Sequence, residues 1–167
     1  MKNQEQNIEQ LVESLPDELK AKIEGLEAVH SGKHIFGEGP DSFYNTTDAG
    51  SDEGEGRIGN AAAAEALSDP IHPLVITHPL SGKKALYVNP AFTREIVGLE
   101  KSESDQLLSE LYTHVFTGHG FHHRFKWEPG SIAMWDNRST WHWALNDYQG
   151  QRRIMHRITI EGCALDA

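Results

Sequence analysis

A chain of 167 residues is enough for one domain of ordinary size and hardly enough for two. A hydrophobic content of 38% excludes general disorder. No apolar run approaches the roughly 20 residues that cross a bilayer, and Met1–Gln6 lacks the apolar core of a signal peptide, so a soluble cytoplasmic protein is expected. Fifteen Lys and Arg against 25 Asp and Glu leave a net charge of −10, which opposes binding to nucleic acid, and the one cysteine, Cys163, excludes an intrachain disulfide and a thiolate metal site.

Along the chain, Ile8, Leu11, Val12, Leu15, Leu19, Ile23 and Leu26 recur at spacings of three and four, the pattern of a helix with one buried face. Pro16 interrupts it, which predicts a helix over 5–13 and a second over 16–25, capped by Ser14 and ended near Gly25. Residues 31–70 are rich in Gly, Asp and Glu and have almost nothing to bury, so they are expected to form a flexible acidic loop, with one short helix near Ala61–Leu67. Leu74–His78 and Lys84–Val88 flank the turn Pro79-Leu80-Ser81-Gly82 and predict a hairpin. Ser102 and Asp105 stand as a capping box ahead of the stripe Leu107, Leu108, Leu111, Tyr112 and Val115, which predicts a helix over about 102–116.

The last fifty residues alternate. Phe121, His123, Phe125 and Trp127 are expected on one strand face and His122, Arg124 and Lys126 on the other, with a stop at Glu128-Pro129-Gly130. Further strands are predicted at Ser131–Trp135, Trp141–Ala144 and Arg153–Ile160. Short turn-separated strands at this density point to a mainly β, antiparallel sandwich or barrel with helices packed outside it.

Two features could carry chemistry. On a strand over 153–160, Arg153 and Arg157 share a face and lie roughly 13 Å apart, a separation that suits two different anions or two salt bridges on a solvated face. His142 sits between Trp141 and Trp143, where a histidine can be a metal ligand, a general base or a packed side chain. His122 and His123 are adjacent and, on a strand, cannot jointly chelate one ion; with His114 and His119 they read as surface or core residues.

The run His78-Pro79, Leu86-Tyr87-Val88-Asn89-Pro90, Ile96-Val97-Gly98-Leu99, Trp127-Glu128-Pro129-Gly130-Ser131, Trp135-Asp136-Asn137-Arg138, His142, Asn146-Asp147-Tyr148 and Arg152-Arg153-Ile154-Met155-His156-Arg157 resembles the C-terminal part of the taurine dioxygenase family. The match is strong over 72–161 and weaker from Leu15-Pro16-Asp17-Glu18-Leu19 to Ala28-Val29-His30. The resemblance implies a double-stranded β-helix (jelly roll), Fe(II) held by two histidines and a carboxylate, 2-oxoglutarate as co-substrate, and hydroxylation of a small anionic substrate such as a sulfonate. By position it makes His142 the distal iron ligand, Arg153 the partner of the 2-oxoglutarate side carboxylate, and Arg157 the residue near the substrate anion.

The family's other two iron ligands come from a His-x-Asp motif upstream of the segment matching Leu15–Leu19. None of the ten histidines here is followed two positions later by an acidic residue, and the family's Gly-Gly-Asp-Thr segment is missing too. The expectation is therefore a single domain over 1–167 with a partial β-helix, truncated at its N-terminus, whose catalysis is impaired. Its exposed sheet edges should favour pairing with another chain. The rival readings are a non-catalytic anion-binding or subunit protein, and an inactive gene fragment.

Overall fold

The computed structural model describes residues 2–33, 69–117, 122–145, 147, 149–152, 154–160 and 162–165. The chain order is β1 (Lys2–Asn7), α1 (Ile8–Ser14), α2 (Asp17–Ile23), β2 (Glu27–His30), β3 (Ile71–Pro73), β4 (Val75–Thr77), β5 (Lys84–Leu86), β6 (Thr93–Ile96), α3 (Lys101–Thr117), β7 (His122–Lys126) and β8 (Thr140–Ala144). The strands form three small sheets, ordered β7-β1-β8, β3-β2-β6 and β4-β5, with antiparallel pairing throughout. A mainly β architecture with packed helices is present, and among the described residues the sheets do not close into a barrel.

The core forms where the apolar stripes meet. Leu11, Leu15, Leu19 and Ile23 of the α1–α2 region are buried with Ile76, Ala85 and Leu86 of the hairpin and with Leu107, Leu108, Leu111 and Val115 of α3. That places the 3.6-residue face of each helix against sheet, as the spacing demands. Trp141, 8% exposed, extends this core into β8, and Tyr112 and Phe116 meet its ring edge-on at 6.2 Å.

Several expected elements stand. The hairpin pairs Val75 with Leu86 and Thr77 with Lys84, and main-chain bonds from His78 to Lys83 and from Tyr87 to Leu74 carry the ladder beyond both ends. Gly82 closes its turn at φ 68°, a conformation that glycine adopts without a Cβ penalty. Helix α2 ends before Gly25, also left-handed at φ 72°, and α3 covers one residue more at each end than the stripe indicated.

Other expectations fail. Residues 5–7 are strand rather than helix, because β1 is inserted between β7 and β8 with Glu5 opposite both His123 and His142 in register. Ser14 does not cap α2, whose N-cap is Pro16; its hydroxyl donates to the Leu11 carbonyl and meets His114 Nε2 at 2.8 Å. Ser102 lies inside α3, which starts at Lys101, and Asp105 takes the Lys101 ammonium at 2.7 Å instead of a capping role. Residues 131–135 and 154–160 hold no regular strand. A ladder needs a neighbour with free main-chain groups, and no strand lies beside either segment among the described residues. Phe125 of β7 and Trp127 just after it keep the expected common side, their rings 4.9 Å apart, while His123 is exposed. The short helix near Ala61–Leu67 and most of the 31–70 loop lie outside the described residues. The two described flanks of that stretch are joined, with Lys33 Nζ 2.8 Å from an Asp69 carboxylate oxygen and the His30 amide donating to Pro70.

Candidate functional site

Strand β8 sets the orientation of His142. With period-two alternation Trp141 and Trp143 share a face, and both meet Phe116 of α3, at 6.2 and 5.9 Å. The His142 imidazole projects the other way and lies flat on the Trp135 indole, the centroids 4.5 Å apart and the planes 13° from parallel. His142 is half-buried in the wall of a cavity of about 310 Å³ lined also by Asn89, Pro90, Ala91, Phe92, Trp141 and Trp143. Its other wall is a compact turn: the Asn89 side chain accepts the Ala91 amide, and the Asn89 carbonyl accepts those of Phe92 and Thr93. Asn89 and Phe92 were not singled out from the sequence as site residues. The only signal for them was the Asn-Pro pair, which indicates a turn without indicating what the turn faces.

A second arrangement, also not read from the sequence, forms in the turn ahead of β8. Asp136 accepts the Arg138 amide and Nε on one oxygen, both at 2.9 Å, and Arg138 Nη2 at 2.6 Å on the other. The same second oxygen lies 3.1 Å from His78 Nε2. Chiefly through the Arg138 guanidinium, and with help from the Arg138 amide and His78, the Asp136 carboxyl is held well below the usual carboxylate range. Arg138 Nη1 reaches Cys163 Sγ at 3.6 Å.

Of the remaining sequence candidates that are described, Arg157 is not among the residues lining this cavity. Arg153 lies outside the described residues, and Arg157 is exposed on a segment without strand geometry. His114 and His122 are structural, bonded to Ser14 and to the Val115 carbonyl; His119 lies outside the described residues. Among the described residues no group of three or more His, Cys, Asp or Glu side chains gathers to hold a metal ion. A facial iron site needs two imidazoles and a carboxylate, so His142 as placed here does not by itself fit Fe(II).

The class follows from a comparison with known proteins. The family model described as "Taurine catabolism dioxygenase TauD, TfdA family" matches residues 7–159, and the chain belongs to that family. Membership implies Fe(II) and 2-oxoglutarate as the family's cofactor and co-substrate. Among individual relatives, an α-ketoglutarate-dependent sulfonate dioxygenase of Saccharomyces cerevisiae is 51% identical over 90 residues, covering 53% of this chain and 22% of its own length. An alkylsulfatase of Acinetobacter baylyi is 37% identical over 156 residues, covering 93% and 46%. The crystal structure of a taurine dioxygenase from Burkholderia xenovorans superposes with a TM-score of 0.59 at 33% identity, over 84% of this chain and 39% of that one. The chain thus spans less than half the length of each of these proteins. Among the described residues no helix is long and apolar enough to cross a membrane.

Proposed function

We propose that this chain forms one domain of the taurine dioxygenase type and carries part of an Fe(II)/2-oxoglutarate dioxygenase site. The reaction would hydroxylate a small anionic substrate, a sulfonate or sulfate ester, with decarboxylation of 2-oxoglutarate, in the cytoplasm. His142 is the distal iron ligand, Arg153 pairs with the 2-oxoglutarate side carboxylate, and Arg157 meets the substrate anion. The observation that carries this reading is the placement of His142 in the wall of the aromatic cavity, its ring stacked on Trp135. The metal supplies oxygen activation in such enzymes, while the protein supplies ligand geometry and anion anchors. Because no His-x-Asp pair occurs in this sequence, the chain alone is impaired.

The test is succinate formation from 2-oxoglutarate with Fe(II), ascorbate and either taurine or an alkyl sulfate. The chain alone should give none above a metal-only blank. Fusion to a His-x-Asp-bearing N-terminal segment of a longer relative should give turnover. In the fusion, Arg153→Ala should chiefly raise the KM for 2-oxoglutarate and Arg157→Ala that for the anionic substrate, since each change removes the guanidinium that pairs with that anion. Succinate from the unmodified chain, or equal effects of both changes on both substrates, would sink the assignment.

A second reading, a non-catalytic subunit that pairs with a longer member of the family, is favoured by exposed apolar side chains on the segments that lack a ladder: Ile132 and Met134 on one, Ile158 and Ile160 on the other. Such residues on open main chain invite pairing with another chain. Light scattering at high concentration separates the readings, a monomer counting against the subunit.

A further inference from the structure

We infer that His78 is a positioning residue for His142, acting through Asp136 and Trp135; the inference rests on the reading of His142 as the iron ligand. His78 directly follows strand β4 and is only 6% exposed. Its Nδ1 accepts the main-chain amides of Leu80 and Ser81, at 3.4 and 3.2 Å. A ring nitrogen that accepts N–H bonds carries its lone pair there, so the ring proton sits on Nε2 and is donated to Asp136. The hairpin turn thereby fixes both the tautomer and the rotation of this ring.

The bonds between Asp136 and Arg138 join residues two apart, and they shape the turn ahead of β8 without fixing where it lies. The bond from His78 spans 58 positions and ties that turn to the core hairpin. Trp135 adjoins Asp136 in the chain, and its indole N–H donates to Asn137 Oδ1 at 3.0 Å, so its ring is held by the same turn. The indole is in turn the plane on which the His142 imidazole lies. A stacked imidazole cannot tilt about its Cβ–Cγ bond without losing that contact, so residues 78, 135 and 136 together hold the plane of its ring.

Histidine ring signals of the metal-free protein, labelled with 13C at histidine, test this. Stacking on Trp135 moves the His142 ring protons upfield, and Trp135→Leu supplies the unstacked reference. Glutamine at position 78 can still extend an N–H to Asp136, whereas asparagine is too short; both lose the ring acceptor for the turn amides. His78→Gln should therefore keep the upfield signal and His78→Asn should move it to the unstacked position. Loss in both variants would mean that His78 serves only its own turn, and retention in both that it has no hold on His142; either result overturns the inference. If His78→Asn fails to fold, Asp136→Ala breaks the same link by removing the acceptor, and a retained upfield signal there overturns it equally. No metal, co-substrate or turnover enters the measurement, so it can fail while His142→Gln still abolishes turnover in the fused enzyme, and hold when fusion restores no activity.

Discussion

Ser104 is wholly buried in α3, and its hydroxyl accepts the main-chain amide of Ile96 in β6 at 2.8 Å. Ser104→Ala strands that amide away from water and should cost about 1–3 kcal/mol, read as a lower denaturant midpoint with unchanged slope. An apolar stripe does not reveal such a serine, because periodicity marks which face is buried and not which main-chain group across the interface needs a partner. His30 is a second residue of this kind. Its ring contacts His72 and Tyr87 at 5.5 and 5.4 Å, and its buried Nε2 has no hydrogen-bond partner among the described residues. Burial first, and then the nearby His72, push its imidazole from 6.5 down to about 4. Above pH 6.5 neither the folded nor the unfolded chain holds that proton, and the stability is complete. Between 6.5 and about 4 the unfolded chain binds it first, so stability falls as pH falls, and the loss levels off below about 4. Urea midpoints measured across this window should fall less steeply in His30→Phe than in the parent; identical slopes would show that His30 is not the titrating group.

At the scale of elements, what the sequence showed is what local spacing decides. The stripe from Leu107 to Val115 and the turn ending in Gly82 each contain their own instruction, and α3 and the β4–β5 hairpin follow it. Strand β1 does not: Glu5, Gln6 and Asn7 carry no alternation, and they are extended only because β7 and β8 flank them. The reverse error occurs at 154–160, where Ile154, Ile158 and Ile160 alternate as a strand should and pair with no strand among the described residues. For the acidic stretch 31–70, composition makes it the expected first site of limited proteolysis. Since β2 pairs with both β3 and β6, the two halves should stay together after the cut, appearing as two bands on a denaturing gel and one species by size exclusion. Separation of the fragments without denaturant would contradict the sheet order.

For the whole molecule, the candidate site was legible in part. The family motifs pointed to His142, and the fold puts it in a cavity wall. Its neighbours Asn89 and Phe92, and the His78–Asp136 link at the turn ahead of β8, depend on contacts between distant stretches of chain that no single-sequence spacing encodes. With no second or third ligand gathered beside His142 among the described residues, Fe(II) should bind there no better than at an exposed histidine. Calorimetric titration showing one tight site per chain, lost in His142→Ala, would mean that the remaining ligands are assembled from residues not described by this fold.

The joined flanks at Lys33 and Asp69 have a consequence for how this scaffold tolerates change. Strands β2 and β3 hold both ends of the intervening chain at neighbouring points. Doubling the length of such a connection adds only about 0.6 kcal/mol of closure entropy. The joined flanks thus offer a port for grafting, where a reporter domain whose own ends lie close together could be spliced between them without pulling β2 from β3.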